Sequence, residues 1–414
     1  MSRALRRPAL VAVVGLSAVL WAGACKPRRP PPAATAPASA TASAGPVPGF
    51  PTVPLLEKPT WKTYDRAQDL GVPAGCRLLL PVKSTPLPAG TVRFIAPPET
   101  TSELYVAVDA DGDGIVDRSG VLDGAGAVGH ALPWSKIDAP PIIVHGPAGY
   151  LALDTEDTGR GARRLMLWRE LGSVEPVVEG DALEVVDARC DGTRCAVLTT
   201  LASASAGPGA TLLVGEATTP PATWARTDLP AEDARWAPLS IVRMNGTDLT
   251  VAALSEKNLG VFEVHAGTVS PSTRIAAPFG AYDVVVGARP FAVAPGESLE
   301  GGCRKDGFPL HILRAGADPL VIDGQVPPVN VLTRGLSSGF LVGWLAPVSC
   351  RHDARQFVRA FLVGPDGTPR SSTMAVADAT GFALSTRGDE VDLWLAIGKE
   401  LVWSKARCAL PAPG

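Results

Sequence analysis

Asp109, Asp111, Asp113 and Asp117 fall within nine positions, in the run Asp109-Ala110-Asp111-Gly112-Asp113-Gly114-Ile115-Val116-Asp117. Four carboxylates this close repel one another unless a cation lies between them. Calcium takes roughly 6–8 hard oxygen ligands and suits such a donor set. The competing reading is a polar turn whose aspartates accept hydrogen bonds from their own backbone.

The run fits D-x-D-x-D-G-x-x-D and resembles the calcium loops of EF-hands, dockerins, thrombospondin type 3 repeats and integrin α-subunit propellers. The resemblance implies carboxylate ligands from Asp109, Asp111 and Asp113, the backbone carbonyl of Ile115, a further carboxylate from Asp117, and a sharp turn at Gly114. It covers nine residues and departs from the EF-hand at the twelfth position, where Gly120 replaces the bidentate glutamate. The strand-like Glu103–Val108 before the loop matches the integrin version, which does not use that ligand. The expectation is a weak structural Ca2+ site, with a dissociation constant of ~10⁻⁴–10⁻³ M.

Other chemistry is sparse. The five histidines (His130, His145, His265, His311, His352) are scattered and form no zinc or HExxH spacing. His145 and Arg243, near strand ends, are the only candidates for an enzyme. Gly335-Leu336-Ser337-Ser338-Gly339 matches G-x-S-x-G, but a strand-like Phe340–Leu345 follows where a nucleophile elbow needs a helix. Asn245-Gly246-Thr247 falls in a turn. Trp134 and Trp224 sit in Pro-rich loops and are the tryptophans to check as exposed platforms.

The elements that would hold these residues begin after an export segment. Arg3, Arg6 and Arg7 precede an apolar run from Ala9 to Val19, the layout of a secretory signal over 1–24. Ala22-Gly23-Ala24-Cys25 resembles a bacterial lipobox, which implies cleavage before Cys25 and lipidation of its thiol. Residues 25–60 are rich in Pro, Ala, Ser and Thr and read as a disordered tether. Together these imply a cell-envelope protein, in the outer membrane or periplasm, held to the membrane through the lipid. Loss of the signal removes three of 38 basic residues and none of the 41 acidic ones, leaving a net charge near −6 without a basic face. That argues against nucleic-acid binding.

From 61 to 410 the chain is all-β, with runs of 5–8 apolar residues bounded by Gly, Pro, Asp and Asn. Helical periodicity is confined to short stretches near 62–70 and 230–236. A unit of strand, tight turn, strand, longer loop and strand recurs from Val92, Ile142, Leu183, Leu239, Tyr282, Val329 and Phe382, at intervals of about 40–56 residues. Seven such units predict a seven-bladed β-propeller. Two β-sandwich domains, or a six- or eight-bladed propeller, are the alternatives.

With Cys25 set aside, six cysteines remain, an even number suited to disulfides in an exported protein. The last unit supplies three strands ending at Cys408, so the strand starting at Cys76 would complete it, with a Cys76–Cys408 disulfide at the closure. Cys190 and Cys195 flank a hairpin turn and would pair. Cys303 and Cys350 sit in long loops of neighbouring units and would form the third bridge. The function expected is binding or scaffolding by a monomer. Its partner would be an envelope protein or glycan, met through the loops at 155–163, 203–210, 295–307 and 346–356 that follow second strands. The alternative is an extracytoplasmic propeller enzyme of hydrolase, lyase or quinoprotein type.

Overall fold

The structure is a computed structural model. It describes residues 53–410 except 98–101, 125–127, 147–148, 159–161, 171–173, 182, 204–206, 230–235, 256, 279–280, 282, 296–309, 323–328 and 348–354. Cys25, Cys303, Cys350, His352 and most of the loops 295–307 and 346–356 lie outside the described residues.

Seven small antiparallel sheets form the molecule, six of four strands and one of five. Blade 1 comprises Thr91–Ile95, Glu103–Asp109, Arg118–Asp123 and Val128–Gly129; blade 2 comprises Ile142–Gly146, Gly149–Asp157, Ala162–Arg169 and Val174–Asp181. Blade 3 runs through Glu184–Asp191, Arg194–Ser203, Gly207–Glu216 and Ala225–Asp228, and blade 4 through Ala237–Asn245, Asp248–Leu254, Asn258–His265 and Thr268–Ala276. Asp283–Val286, Pro290–Pro295, Leu310–Arg314 and Ala317–Ile322 make blade 5; Val329–Gly335, Phe340–Pro347, Gln356–Val363 and Met374–Asp378 make blade 6. From blade 2 round to blade 7 and on to blade 1, first strands touch first strands, so they form the inner ring. This is a seven-bladed β-propeller, and each blade starts within two residues of its sequence unit.

Blade 7 closes the ring with both ends of the chain. Gly381–Arg387, Glu390–Ile397 and Glu400–Cys408 pair in order, and Cys76–Pro86 adds antiparallel to the last of them, with Cys76 opposite Cys408. A disulfide joins that pair, and a second joins Cys190 to Cys195 across the blade 3 hairpin. Directly opposed antiparallel residues lie within disulfide reach.

Second strands explain why the apolar runs are continuous. They are buried on both faces, so alternation gives way to unbroken hydrophobicity. In Glu103–Asp109, Leu104, Val106 and Val108 pack toward blade 7, while Tyr105 and Ala107 pack toward Tyr150 of blade 2. In Phe340–Pro347, Leu341 and Leu345 face blade 7, and Val342 and Trp344 face blade 5. The same device repeats at Ala196 and Leu198 against blade 4, with Cys195 and Val197 against blade 2.

Three expectations change. The stretch near 62–70 holds a two-residue strand, Lys62–Thr63, and a single 3-10 turn at Ala67–Asp69; 230–235 is outside the described residues. Residues 155–163 and 203–210 are mostly strand. The hairpins of blades 2 and 3 run on past their first strands, so Asp154–Asp157 pairs with Arg163–Met166 beyond the end of Ile142–Gly146. Within the stretch expected as tether, Val53 and Leu56 are buried, and Ser119 exchanges backbone hydrogen bonds with Pro54 and Leu56.

Candidate functional site

The aspartate loop connects the second and third strands of blade 1, where one strand must turn back on itself. Gly112 and Gly114 both take positive φ, +82° and +87°, a region in which a side chain is strained. Asp109 ends the second strand, buried at 2% exposure. Its Oδ1 accepts from the Gly112 amide at 2.7 Å and its Oδ2 from the Gly114 amide at 3.1 Å. Asp113 accepts from the Ile115 amide (2.7 Å), Asp111 from the Asp113 amide (3.2 Å) and Asp117 from the Ala110 amide (2.7 Å). Asp109, Asp111 and Asp117 each present an oxygen within 4.8 Å of the others, an acidic cluster able to hold a metal ion. Asp113 is not in that converging set, although the spacing assigned it a ligand. Ile115 is exposed; its strand-like neighbours Gly114 and Val116 bond to Ile137 and Ser135, which braces the loop from below. Gly120 lies in the third strand beneath Leu55 and Leu56, so no twelfth-position ligand could approach from there.

The inner ring gathers ionisable groups the sequence left scattered. Asp187 and Asp283 occupy the first strands of blades 3 and 5, and the charge of Asp283 reaches Asp187. Burial pushes both carboxyls up from the usual aspartate range, against the opposing pull of Arg189 on Asp187 and Arg334 on Asp283. Both oxygens of each are occupied by backbone amides. Asp187 accepts from Ala188 (2.9 Å) and, across the joint, from Ile241 of blade 4 (2.7 Å). Asp283 accepts from Val284 (2.9 Å) and from Thr333 of blade 6 (2.8 Å). Arg334 donates to the Leu384 carbonyl and Asn330 to the Phe382 carbonyl, joining blade 6 to blade 7. At the turns, Asp191 accepts from the Gly246 amide and Asp389 from the Ser337 amide. Such bonds orient neighbouring blades and hold these carboxylates as links across the joints.

His145 and Arg243 are not brought to one another. His145 stacks on Tyr150 at 4.5 Å, while Arg243, on blade 4, points to Glu263 at 3.9 Å. The junction of blades 1 and 2 instead assembles residues with no motif in the sequence. Tyr150 also meets His130 (5.0 Å) and the edge of Tyr105 (6.0 Å). Glu170 takes His130 Nδ1 and the Tyr150 amide, and Glu103 lies 3.9 Å from His145 Nδ1. Burial, then the Glu103 charge, holds the Tyr105 and Tyr150 phenols well above their ordinary range, so both stay protonated at neutral pH. Contacts across the joint bring Tyr105 to Tyr150 and Glu103 to His145, each more than 40 residues apart in sequence.

The remaining candidates are structural. Trp134 and Trp224 are buried, at 0% and 7% exposure, rather than presented as platforms. The Trp224 ring occupies the space a Cβ on Gly215 would take, 2.1 Å from it. Gly335–Gly339 is a hairpin turn followed by the strand Phe340–Pro347.

No protein-family model matches the chain, and no curated protein matches it. Among solved structures it is similar to the SapL1 lectin in complex with alpha methyl fucoside, at 14% identity over 79% of this chain and 98% of that one, with a TM-score of 0.37. It is also similar to a prolyl endopeptidase, at 13% identity over 79% of this chain and 51% of that one, with a TM-score of 0.44; the chain thus spans about half the length of that protein. A third likeness is the β-propeller domain of the Trilobed protease from Pyrococcus furiosus, at 8% identity over 66% and 84% of the two chains, with a TM-score of 0.39.

Proposed function

We propose that this chain is an exported protein, lipid-anchored at Cys25 and tethered to the cell envelope, whose propeller works as a binding or scaffolding module. The observation that supports binding over catalysis is the state of the inner-ring carboxylates. Both oxygens of Asp187 and of Asp283 are engaged by backbone amides of their own and the neighbouring blade. These bonds give the carboxylates a structural task, linking blade 3 to blade 4 and blade 5 to blade 6, in place of the positioning a general acid or base requires. Recognition then falls to the overhanging hairpins of blades 2 and 3. There Arg164 joins Glu156 and Glu179, and Arg163 joins Glu184, on the face where the aspartate loop also emerges. Calcium in that loop, held by Asp109, Asp111 and Asp117, would brace the same face of blade 1. Rigid scaffolds commonly present recognition on such connections. The partner is an envelope protein or glycan met by a monomeric head.

The test compares the full wild-type chain with Asp187→Asn, each immobilised and exposed to envelope extract. A component retained by both, released unchanged, is expected. A component that wild type converts chemically and Asp187→Asn does not would establish catalysis instead, and retention of nothing would remove the binding reading.

A further inference from the structure

The two described disulfides sit in different surroundings. Cys76–Cys408 lies against the core between blades 6 and 7, among Leu341, Val358 and Leu393, and spans 332 residues. Its loss would release the closing strand. Cys190–Cys195 ties a single hairpin of blade 3, with a sequence separation of five. A crosslink over so short a loop constrains the unfolded chain little, so opening it leaves the propeller standing.

The two sulfurs of that hairpin bridge are unequally placed. Cys195 is buried at 2% exposure, on a second strand packed against blade 2. Cys190 is half-buried on a first strand of the inner ring. It lines a recess of about 270 Å³ with Val144 and His145 of blade 2, Met244 of blade 4 and Pro97. Gly146, which ends the first strand of blade 2, faces the same sulfur: a Cβ there would lie 3.7 Å from Cys190 Sγ. Gly146 does not take positive φ, so what the glycine supplies is room rather than an unusual backbone. Of the two sulfurs, Cys190 is therefore the one open to a nucleophile from solvent.

We propose that Cys190–Cys195 is a redox-active bridge, opened by a dithiol whose thiolate enters the recess and attacks Cys190 Sγ. A bond forms between the donor sulfur and Cys190 Sγ while the Cys190–Cys195 bond breaks. Cys195 leaves as a thiolate and takes up the proton that the donor released. The strand ladder then selects the chemical class of the donor. Cys190 and Cys195 are cross-strand partners with Cα atoms 4.1 Å apart. The freed Cys195 thus stays beside the mixed disulfide at high effective concentration and expels a monothiol again. A dithiol escapes this return, because its second thiol attacks its own bonded sulfur, forms the donor's disulfide and releases Cys190 as a thiol. Two electrons pass from the donor, which is oxidised, to the bridge, which is reduced to two thiols. The reaction uses neither the aspartate loop nor the outer hairpins, so it stands apart from the binding reading above.

The oxidised full chain would be incubated with dithiothreitol under native conditions and quenched with iodoacetamide, and both bridges followed by peptide mass mapping. Cys190–Cys195 should open at least about tenfold faster than Cys76–Cys408, with tryptophan fluorescence staying native. Glutathione at the same thiol concentration should reduce it at least about tenfold less completely. Gly146→Leu, which lays a side chain over Cys190 Sγ, should slow opening by dithiothreitol by a similar factor in native buffer and leave it unchanged in urea. Opening no faster than that of Cys76–Cys408, equal reduction by the monothiol and the dithiol, or an unchanged native rate in Gly146→Leu would each overturn the proposal. If Gly146→Leu does not fold, the two bridges and the two reductants compared on the wild-type chain decide the matter.

Discussion

Removing the two described disulfides separately should reveal what holds the ring closed. The bridges differ in one respect above all: Cys76–Cys408 spans 332 residues and Cys190–Cys195 spans five. A crosslink stabilises chiefly by restricting the unfolded chain, with an entropy that grows as the logarithm of the loop it closes. The chain-entropy relation gives on the order of 6 kcal/mol for the long loop and on the order of 2 kcal/mol for the short one, with smaller values in practice. Packing losses nearly cancel in the comparison, because each bridge has one buried sulfur partner (Cys408 at 1% exposure, Cys195 at 2%) and one of intermediate exposure. Cys76→Ala/Cys408→Ala and Cys190→Ala/Cys195→Ala would be unfolded in urea and followed by tryptophan fluorescence. The closure variant should lose roughly 2–4 kcal/mol more than the hairpin variant. It should also show a larger m-value, because an uncrosslinked chain exposes more surface on unfolding. Equal losses, or a larger loss for the hairpin variant, would refute the account of the closing strand as an entropic latch.

Two further outcomes follow from the sites. Calcium at about ten times its dissociation constant should raise stability by roughly 1.4 kcal/mol. Thermal melting with calcium and with chelator would read this, and Asp111→Ala should erase the difference while leaving the chelated melting temperature nearly unchanged. At Asp283 the folded-state carboxyl titrates above the unfolded one because of burial. The folded state therefore holds the proton longer, and the group's contribution declines as pH rises from the ordinary aspartate range through the raised value. In Asp283→Asn that decline should vanish, so wild type loses ground to the variant across this window in urea titrations at stepped pH; the opposite slope would contradict the burial cause.

Much of the fold was legible because hairpin chemistry is local. The turns Asp191-Gly192 and Asn245-Gly246 require positive φ at glycine and mark where first strands hand over to second strands. The long apolar runs were equally visible, since second strands are buried on both faces. The closure was legible for a topological reason: a last unit of three strands needs a fourth, and the cysteines bracket the register. Less visible were features set by length and contact. Blade 1 has an outer strand of only Val128–Gly129, and Pro54 with Leu56 fill the remaining edge of Arg118–Asp123. Nothing in a Pro-rich stretch announces that its last residues are docked. Likewise His130 and Tyr105 meet Tyr150 only because blades 1 and 2 pack together, while His145 reaches Tyr150 as its cross-strand partner in the blade 2 hairpin.

The aspartate loop divides its two readings residue by residue. Asp109 is committed to the turn, since its two oxygens accept from the amides of Gly112 and Gly114 in charge-assisted bonds. Truncating it to alanine should therefore cost about 1–3 kcal/mol with or without calcium. Asp111 and Asp117 lie outside that framework, exposed, each accepting a single amide. Their spare lone pairs, with those left on the Asp109 oxygens, are the ones a cation could claim, and Asp113 turns to Ile115 instead. A turn that folds on its own hydrogen bonds and still leaves carboxylate oxygens converging is pre-organised for weak ion binding. The ion need not assemble the loop, and its effect on stability is then set by affinity and concentration alone.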